Sequence, residues 1–306
     1  MSHAAAVALN NGAQVPQIGF GVFQVPPAET QGAVERALEA GYRHIDTAAA
    51  YNNEAGVGAA VRASGIPRDH LFVTTKLRNG EHGYESTLKA YDDSLARLDL
   101  DSADLYLIHW PHPTADKFVD SWRALERIYQ EGRVRAIGVS NFLAEHLERL
   151  RNETEIVPVV NQIELHPTYQ QSELTQLCRQ WSIAVEAYSP LGQGHDIGVP
   201  VIAAIADEHG VTPAQIVLRW HLQQGHIVIP KSVTPDRIRS NLEVAGFSLT
   251  PQEMASITAL ECGHRTGNDP RTFSLSQIRP PAGFARRRPP PPPRSGSEQR
   301  WEPAGQ

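Results

Sequence analysis

Two hydrophobic rhythms trade places along this chain. Short runs dense in Val, Ile, Thr and aromatic residues occupy 18–23, 42–47, 71–77, 104–109, 134–139, 157–163, 183–188 and 227–229, and each reads as a strand. Between them the apolar positions fall three and four apart, the spacing of one face of a helix. Segments 28–40, 54–63, 85–98, 118–130, 143–150, 172–180, 199–209 with 213–223, and 235–244 follow that rule, and 251–260 adds one more. In the fourth, Trp122, Leu125 and Ile128 are expected to face inward. Gly41 and Gly132 stand where helices should stop. Ser172 reads as an N-cap, and Thr212 as a cap before Pro213 in the first helical position.

Eight strands, each followed by a helix, predict a parallel sheet with right-handed crossovers. Eight repeats in roughly 250 residues match an α/β fold of the (β/α)8 TIM-barrel type, in a single domain over 1–275. A doubly wound sheet is the rival. It would bind a dinucleotide through G-x-G-x-x-G after its first strand, and Gly19-Phe20-Gly21-Val22-Phe23-Gln24 lacks the third glycine. Residues 276–306 break the rhythm. They hold Pro289 to Pro293 in a row, with six Arg and two Glu, and read as a disordered Pro/Arg-rich tail. An SH3-type ligand or a basic adhesive arm is open for such a segment.

Composition narrows the function classes. The formal charge is −6 with an isoelectric point near 6.1, the wrong sign for a protein that grips nucleic-acid phosphates. No apolar run reaches the length of a membrane span, and 1–7 lacks the basic head and apolar stretch of a signal peptide. Two cysteines, Cys178 and Cys262, are too few for a disulfide framework and fit a reducing, cytoplasmic setting. The basic residues comprise 4 Lys against 24 Arg. Where Arg is the habit, a Lys that ends an apolar strand needs a reason, and Lys76 and Lys231 are two such residues.

In a (β/α)8 barrel the chemistry sits at the C-terminal ends of the strands. Asp46 with Tyr51 just beyond, Lys76, His109, Ser140 with Asn141, Gln162 with Glu164, Tyr188 with Ser189, and Lys231 with Ser232 occupy those ends. A free tyrosine has a pKa near ~10, and an ammonium close by is expected to lower it. Lys76 would do this with Asp46 as its counter-charge, while His109 orients a carbonyl oxygen. Such a set donates a proton to an oxyanion while hydride arrives at carbon. Taken singly, each residue has an ordinary structural reading. His109 and His112 also spell H-x-x-H, but a zinc site needs a third ligand, so no metal is expected.

Gly41-Tyr42-Arg43-His44-Ile45-Asp46-Thr47-Ala48 followed by Tyr51 and Asn53-Glu54 resembles the signature of the aldo-keto reductases. So do Thr75-Lys76-Leu77, Leu107-Ile108-His109-Trp110-Pro111, Gly138-Val139-Ser140-Asn141-Phe142, Asn161-Gln162-Ile163-Glu164 and Ile229-Pro230-Lys231-Ser232. Glu186-Ala187-Tyr188-Ser189-Pro190-Leu191-Gly192 resembles the prokaryotic branch that holds 2,5-diketo-D-gluconate reductases. The resemblance implies NADPH-dependent reduction of aldehydes or ketones, with small dicarbonyls, keto-sugars or keto-acids as substrates. It implies Tyr51 as general acid, tuned by Lys76 and Asp46, with His109 orienting the carbonyl. It places Ser140, Asn141 and Gln162 on the nicotinamide carboxamide, Tyr188 on the ring, and Leu191, Gly192 and Gln193 along the pyrophosphate, with Ser189 a further coenzyme contact. Lys231, Ser232, Val233, Arg237 and Asn241 fall at the adenosine end, where the cations suit a 2′-phosphate. Phe23, Ala48, Arg78, Trp110 and His112 fall around the substrate. Arg78 departs from the branch, which often has Trp there, and is expected to favour anionic or polar carbonyl compounds. The expected partner is a small-molecule carbonyl compound, with no nucleic acid and no membrane, and the chain is expected to be a monomer. Two other classes stay open: a non-enzymatic NADPH-sensing barrel subunit, and a metal-dependent hydrolase using the same mouth.

Overall fold

The computed structural model describes residues 5–274, so the Pro/Arg-rich tail lies outside the described residues. The chain opens with two short strands, β1 (Ala6–Ala8) and β2 (Gln14–Pro16), paired antiparallel. The alternation follows: β3 (Phe20–Gly21), α1 (Pro27–Ala40), β4 (His44–Asp46), α2 (Glu54–Ala63), β5 (Phe72–Leu77), α3 (Tyr84–Leu98), β6 (Ala103–Ile108) and α4 (Phe118–Gln130). The second half runs β7 (Val134–Ser140), α5 (Ala144–Glu153), β8 (Val160–Glu164), α6 (Ser172–Gln180), β9 (Ala184–Tyr188), α7 (Pro200–His209), α8 (Pro213–Gln223), β10 (Ile227–Val228), α9 (Pro235–Leu242) and α10 (Pro251–Thr258).

Strands β3 to β10 pair in parallel in sequence order. A parallel bridge between Ile18 and Val228 joins the last strand to the first and closes the barrel. The (β/α)8 architecture expected from the alternation is the one observed. Helices turn their apolar faces onto the strands, with Trp122, Leu125 and Ile128 of α4 fully buried and Trp220 of α8 equally so.

Local chemistry sets most boundaries. Gly41 ends α1 in the left-handed conformation at φ 112°. Thr212 caps α8 through Gln215, with Pro213 in the first turn. Ser172 corrects the reading: it is the first helical residue of α6, and Gln171 ahead of it makes no side-chain cap.

The β1–β2 hairpin was not foreseen. Its Leu9 and Val15 bury against Phe72, Leu105, Ala136, Val160 and Ile227, residues at the starts of barrel strands. The N-terminal end of the barrel is thereby plugged with apolar side chains. Polar side chains are left to converge at the opposite end.

Candidate active site

The inward-facing side chains near the strand C-termini form a buried polar stack. Lys76 on β5 is fully buried, and Asp46 on β4 is 2% exposed. An ammonium has three protons to place. Lys76 Nζ donates to Asp46 Oδ1 at 2.6 Å, to the Thr47 carbonyl at 3.0 Å and to the Tyr51 hydroxyl at 3.4 Å. Because the phenol oxygen accepts from the ammonium, its own O–H is free to donate elsewhere. Tyr51 ends a single 3-10 turn, Ala49–Tyr51, closed by Asn52 in the left-handed conformation at φ 56°. The Tyr51 ring packs on Phe23 at 5.1 Å and edge-on against His109 at 5.5 Å.

Electrostatics correct one expectation. Burial raises the Tyr51 pKa to about 12, outweighing the lowering by Lys76, while Asp46 adds to the rise. The phenol thus holds its proton firmly in the coenzyme-free protein. Lys76 acts in the foreseen direction but does not win, because desolvating a phenolate costs more than one ammonium, itself neutralised by Asp46, returns. Burial drives His109 well below the ordinary histidine range, helped by Lys76, so its ring is neutral. Neither ring nitrogen of His109 has a partner among the described residues. A neutral imidazole beside a protonated phenol is a pair of donors for one oxygen atom.

The stack extends inward. Gln162 Nε2 donates to Asp46 Oδ2 at 2.8 Å and to Glu186 Oε2 at 2.9 Å. Sequence reasoning missed Glu186 as a member of this stack. Its signal was a lone carboxylate in the apolar run Ala184–Tyr188. Burial and the Asp46 charge push its carboxyl up to about 8.

Beside this stack lie the residues foreseen as coenzyme contacts. Ser140 Oγ donates to the Gln162 carbonyl, Asn141 Nδ2 donates to the His109 carbonyl at 3.0 Å, and the Tyr188 hydroxyl donates to Asn141 Oδ1 at 2.8 Å. Asn141 and Ser189 both take positive φ, 64° and 47°, an uncommon conformation that clusters at working sites. Beyond them Leu191, Gly192 and Gln193 begin a loop with Gly192–Gly194 as a 3-10 turn. Across the mouth, Ser232 and Asn241 are buried while Lys231, Val233 and Arg237 are exposed. Among the described residues neither Lys231 nor Arg237 forms a salt bridge, although the Glu29 charge acts on Lys231, and both cations are exposed to an incoming anion. The donor set and the exposed cations fit a phosphorylated dinucleotide.

Of the residues foreseen around the substrate, Phe23 packs against Tyr51, and Trp110, next to His109 in the chain, packs tilted against Phe273 at 4.4 Å. Ala48 is fully buried beneath the Tyr51 turn. Arg78 Nη2 donates to the Ala49 carbonyl at 2.5 Å and to Asn52 Oδ1 at 3.1 Å, bracing that turn. The His112 ring faces the Ser274 carbonyl at 2.9 Å and His82. Among the described residues, no group of three or more His, Cys, Asp or Glu is placed to hold a metal.

The sequence model of the Aldo/keto reductase family matches residues 17–195 and 198–261. An aldo-keto reductase of Mycolicibacterium smegmatis is 54% identical over 270 residues, covering 88% of this chain and 98% of that protein. The methylglyoxal reductase DkgA of Yersinia pestis is 51% identical over 270 residues, covering 87% and 96%. A crystal structure of a Gox0644 variant in complex with NADPH superposes with a TM-score of 0.86 at 45% identity, covering 90% of this chain and all of that one.

Proposed function

The chain belongs to the aldo/keto reductase family, and from that premise we propose that it reduces small dicarbonyls, keto-sugars or keto-acids to alcohols, with Tyr51 as the proton donor. It is an NADP-dependent oxidoreductase, and its coenzyme is NADPH. One observation carries the assignment of roles: the Lys76 ammonium spends one proton each on Asp46, Thr47 and Tyr51, which turns the phenol's own O–H outward beside the neutral His109.

The roles follow from that geometry. His109 and Tyr51 take the carbonyl oxygen between them and polarise it. NADPH, when bound beside them, would supply the hydride that the carbonyl carbon needs. Tyr51 then releases its proton to the oxygen that has become negative, and Lys76 stabilises the phenolate left behind. Asp46 keeps Lys76 charged in a site that would otherwise discharge it. Ser140, Asn141 and Gln162 would hold the carboxamide, Tyr188 would stack on the ring, and Leu191 to Gln193 would flank the pyrophosphate, with Ser189 a further coenzyme contact. Lys231, Ser232, Val233, Arg237 and Asn241 would take the adenosine end, the two exposed cations favouring the 2′-phosphate of NADPH.

The substrate class rests on Arg78 and on the 186–192 run, which favours the branch resembling 2,5-diketo-D-gluconate reductases. Methylglyoxal, named for the Yersinia pestis relative, is a small dicarbonyl of the same kind. We place the chain in a reducing cytoplasm, because Cys178 and Cys262 are both free, and read it as a monomer built of one barrel over 1–275. No helix of the described residues is long and apolar enough to cross a membrane.

The test is NADPH oxidation against a panel of sugars, keto-acids, dicarbonyls and aromatic aldehydes. Turnover should survive chelating agents. It should fall by about 10² to 10⁴ in Tyr51→Phe, with NADPH affinity kept within about twofold, as expected when one group acts only in the transition state. NADPH binding without turnover of any carbonyl would instead favour the sensing subunit.

A further inference from the structure

We propose that His166, as an imidazolium clamped between the carboxylates of Glu164 and Asp196, is the positioning residue that holds two loops shut over the coenzyme side of the barrel mouth. The proposal rests on the coenzyme contacts assigned above to residues 189–193.

Glu164 ends β8, and His166 and Asp196 are fully buried with it. His166 Nδ1 lies 2.9 Å from Asp196 Oδ2, and Nε2 lies 3.2 Å from Glu164 Oε1. Both carboxylates are engaged as acceptors by further donors. Asp196 Oδ1 takes the Thr168 hydroxyl at 2.8 Å. Glu164 takes the Thr266 amide at 2.5 Å, the Thr266 hydroxyl at 2.6 Å and the Gly267 amide at 2.9 Å. An ionised carboxylate only accepts, so a ring facing one on each side must donate from both nitrogens, which is the imidazolium.

The two carboxylates belong to different loops' anchorage. Asp196 sits within the segment after β9 that carries Leu191, Gly192 and Gln193. Glu164 holds the C-terminal segment through Thr266 and Gly267. The loops meet directly, for Gln193 Nε2 donates to Thr266 Oγ1 at 3.2 Å. A closed circuit results, running Gln193, Thr266, Glu164, His166, Asp196 and back along the chain. Packing is tight where the C-terminal segment crosses. A Cβ on Gly267 would come within 2.8 Å of Glu164 Oε2 and 3.5 Å of the Tyr188 hydroxyl. The clasp therefore passes close to the hydroxyl of Tyr188, the residue assigned to the nicotinamide.

Other titratable groups around it are few. Arg265 lies 3.8 Å from Glu164 and stacks on Tyr169, and half-exposed His195 approaches Asp196 at 3.2 Å. Neutral His221 stands behind, its Nε2 donating to the Pro190 carbonyl at 3.1 Å. Burial opposes the His166 charge, but Asp196 and Glu164 outweigh it and raise its pKa to about 9. The sign follows: the clasp is complete below the unfolded histidine value near ~6.5 and is lost as pH rises through about 9. Glu164 and Asp196 are both held below their ordinary values, Asp196 at about 2, so the acid side is safe down to low pH.

The experiment compares the full chain with His166→Asn and with Thr266→Val, which cuts the clasp at its exposed end. NADPH dissociation constants and off-rates are measured by fluorescence from pH 7 to 10. Backbone hydrogen exchange in 189–198 and 262–267 is followed without coenzyme. Both variants should release NADPH about tenfold faster, because the loops are no longer pre-organised, with the KM for the carbonyl substrate nearly unchanged. Exchange should quicken in both segments. Wild-type affinity should fall between pH 8 and 10, while His166→Asn should be weak at pH 7 and lose no more than the wild type's remaining groups do. Unchanged off-rates in both variants, even with a lowered melting temperature, would make His166 merely structural and overturn the proposal. If wild type fails to bind NADPH, the coenzyme reading falls, and the exchange data alone decide whether His166 holds the loops.

Discussion

Replacing Lys76 by Met removes one charge from the barrel interior and keeps the side-chain length. The two charges sit 2.6 Å apart, one fully buried and one nearly so. At an effective dielectric near ~20 their attraction is about 6 kcal/mol. Burying the two ions costs several kcal/mol each, so the intact pair adds little net stability. Losing one partner is different. Asp46 would keep its desolvation penalty with only the Gln162 amide, at 2.8 Å, as an uncharged donor. The expected cost of Lys76→Met is about 3–5 kcal/mol at neutral pH. Asp46→Asn should be costly too, since it strands the ammonium. The double variant should cost far less than the two singles together, with a coupling of at least ~2 kcal/mol. Urea unfolding of the four proteins, read by circular dichroism, measures this. A Lys76→Met cost under ~1 kcal/mol, or additivity within ~0.5 kcal/mol, would refute the reasoning, because the pair would then not be a compensated buried charge.

Three further outcomes follow from the same structure. Gly58 lies inside α2, where helix propensity alone would have Ala gain ~1 kcal/mol; a Cβ there would come 1.7 Å from the Leu98 carbonyl, so Gly58→Ala should lose roughly 2–3 kcal/mol or more in thermal unfolding, and a gain would discredit the α2–α3 contact. Glu186 has its carboxyl raised to about 8 from 4.5, so its stability cost appears as pH climbs through that window; Glu186→Gln should match wild type near pH 4.5 and become progressively more stable toward pH 8, and a pH-independent difference would count against a buried neutral acid. Arg78→Trp should lower the preference for an acidic over a neutral dicarbonyl by more than about threefold, a size expected from losing one exposed charge contact; an equal loss on both would mean that Arg78 serves only to brace the Tyr51 turn through Ala49 and Asn52.

Most of the fold was legible because its signals are local. Strand and helix periods, the Gly41 stop and the Thr212-Pro213 start each depend on a few neighbouring residues. The hairpin was missed because three-residue strands are too short to show a period. The candidate site was legible by position, since strand ends are fixed once the barrel is assumed. Its electrostatic balance was not. Lys76 beside Tyr51 is a pairing of residue types, whereas the Tyr51 pKa depends on how completely water is excluded from both.

By itself, then, the order of apolar runs determined an eight-fold barrel, and the polar residues closing those runs determined which side chains share its mouth. Only the folded molecule decided how they partner: that Gln162 ties Asp46 to Glu186, that Arg78 turns toward Ala49, and that residues 164, 166, 196 and 266 meet in one clasp. The physical reason is range. Helix and strand preferences act over a few residues of chain, while burial and charge act through space between residues as far apart as Asp46 and Gln162, whose separation along the chain is 116.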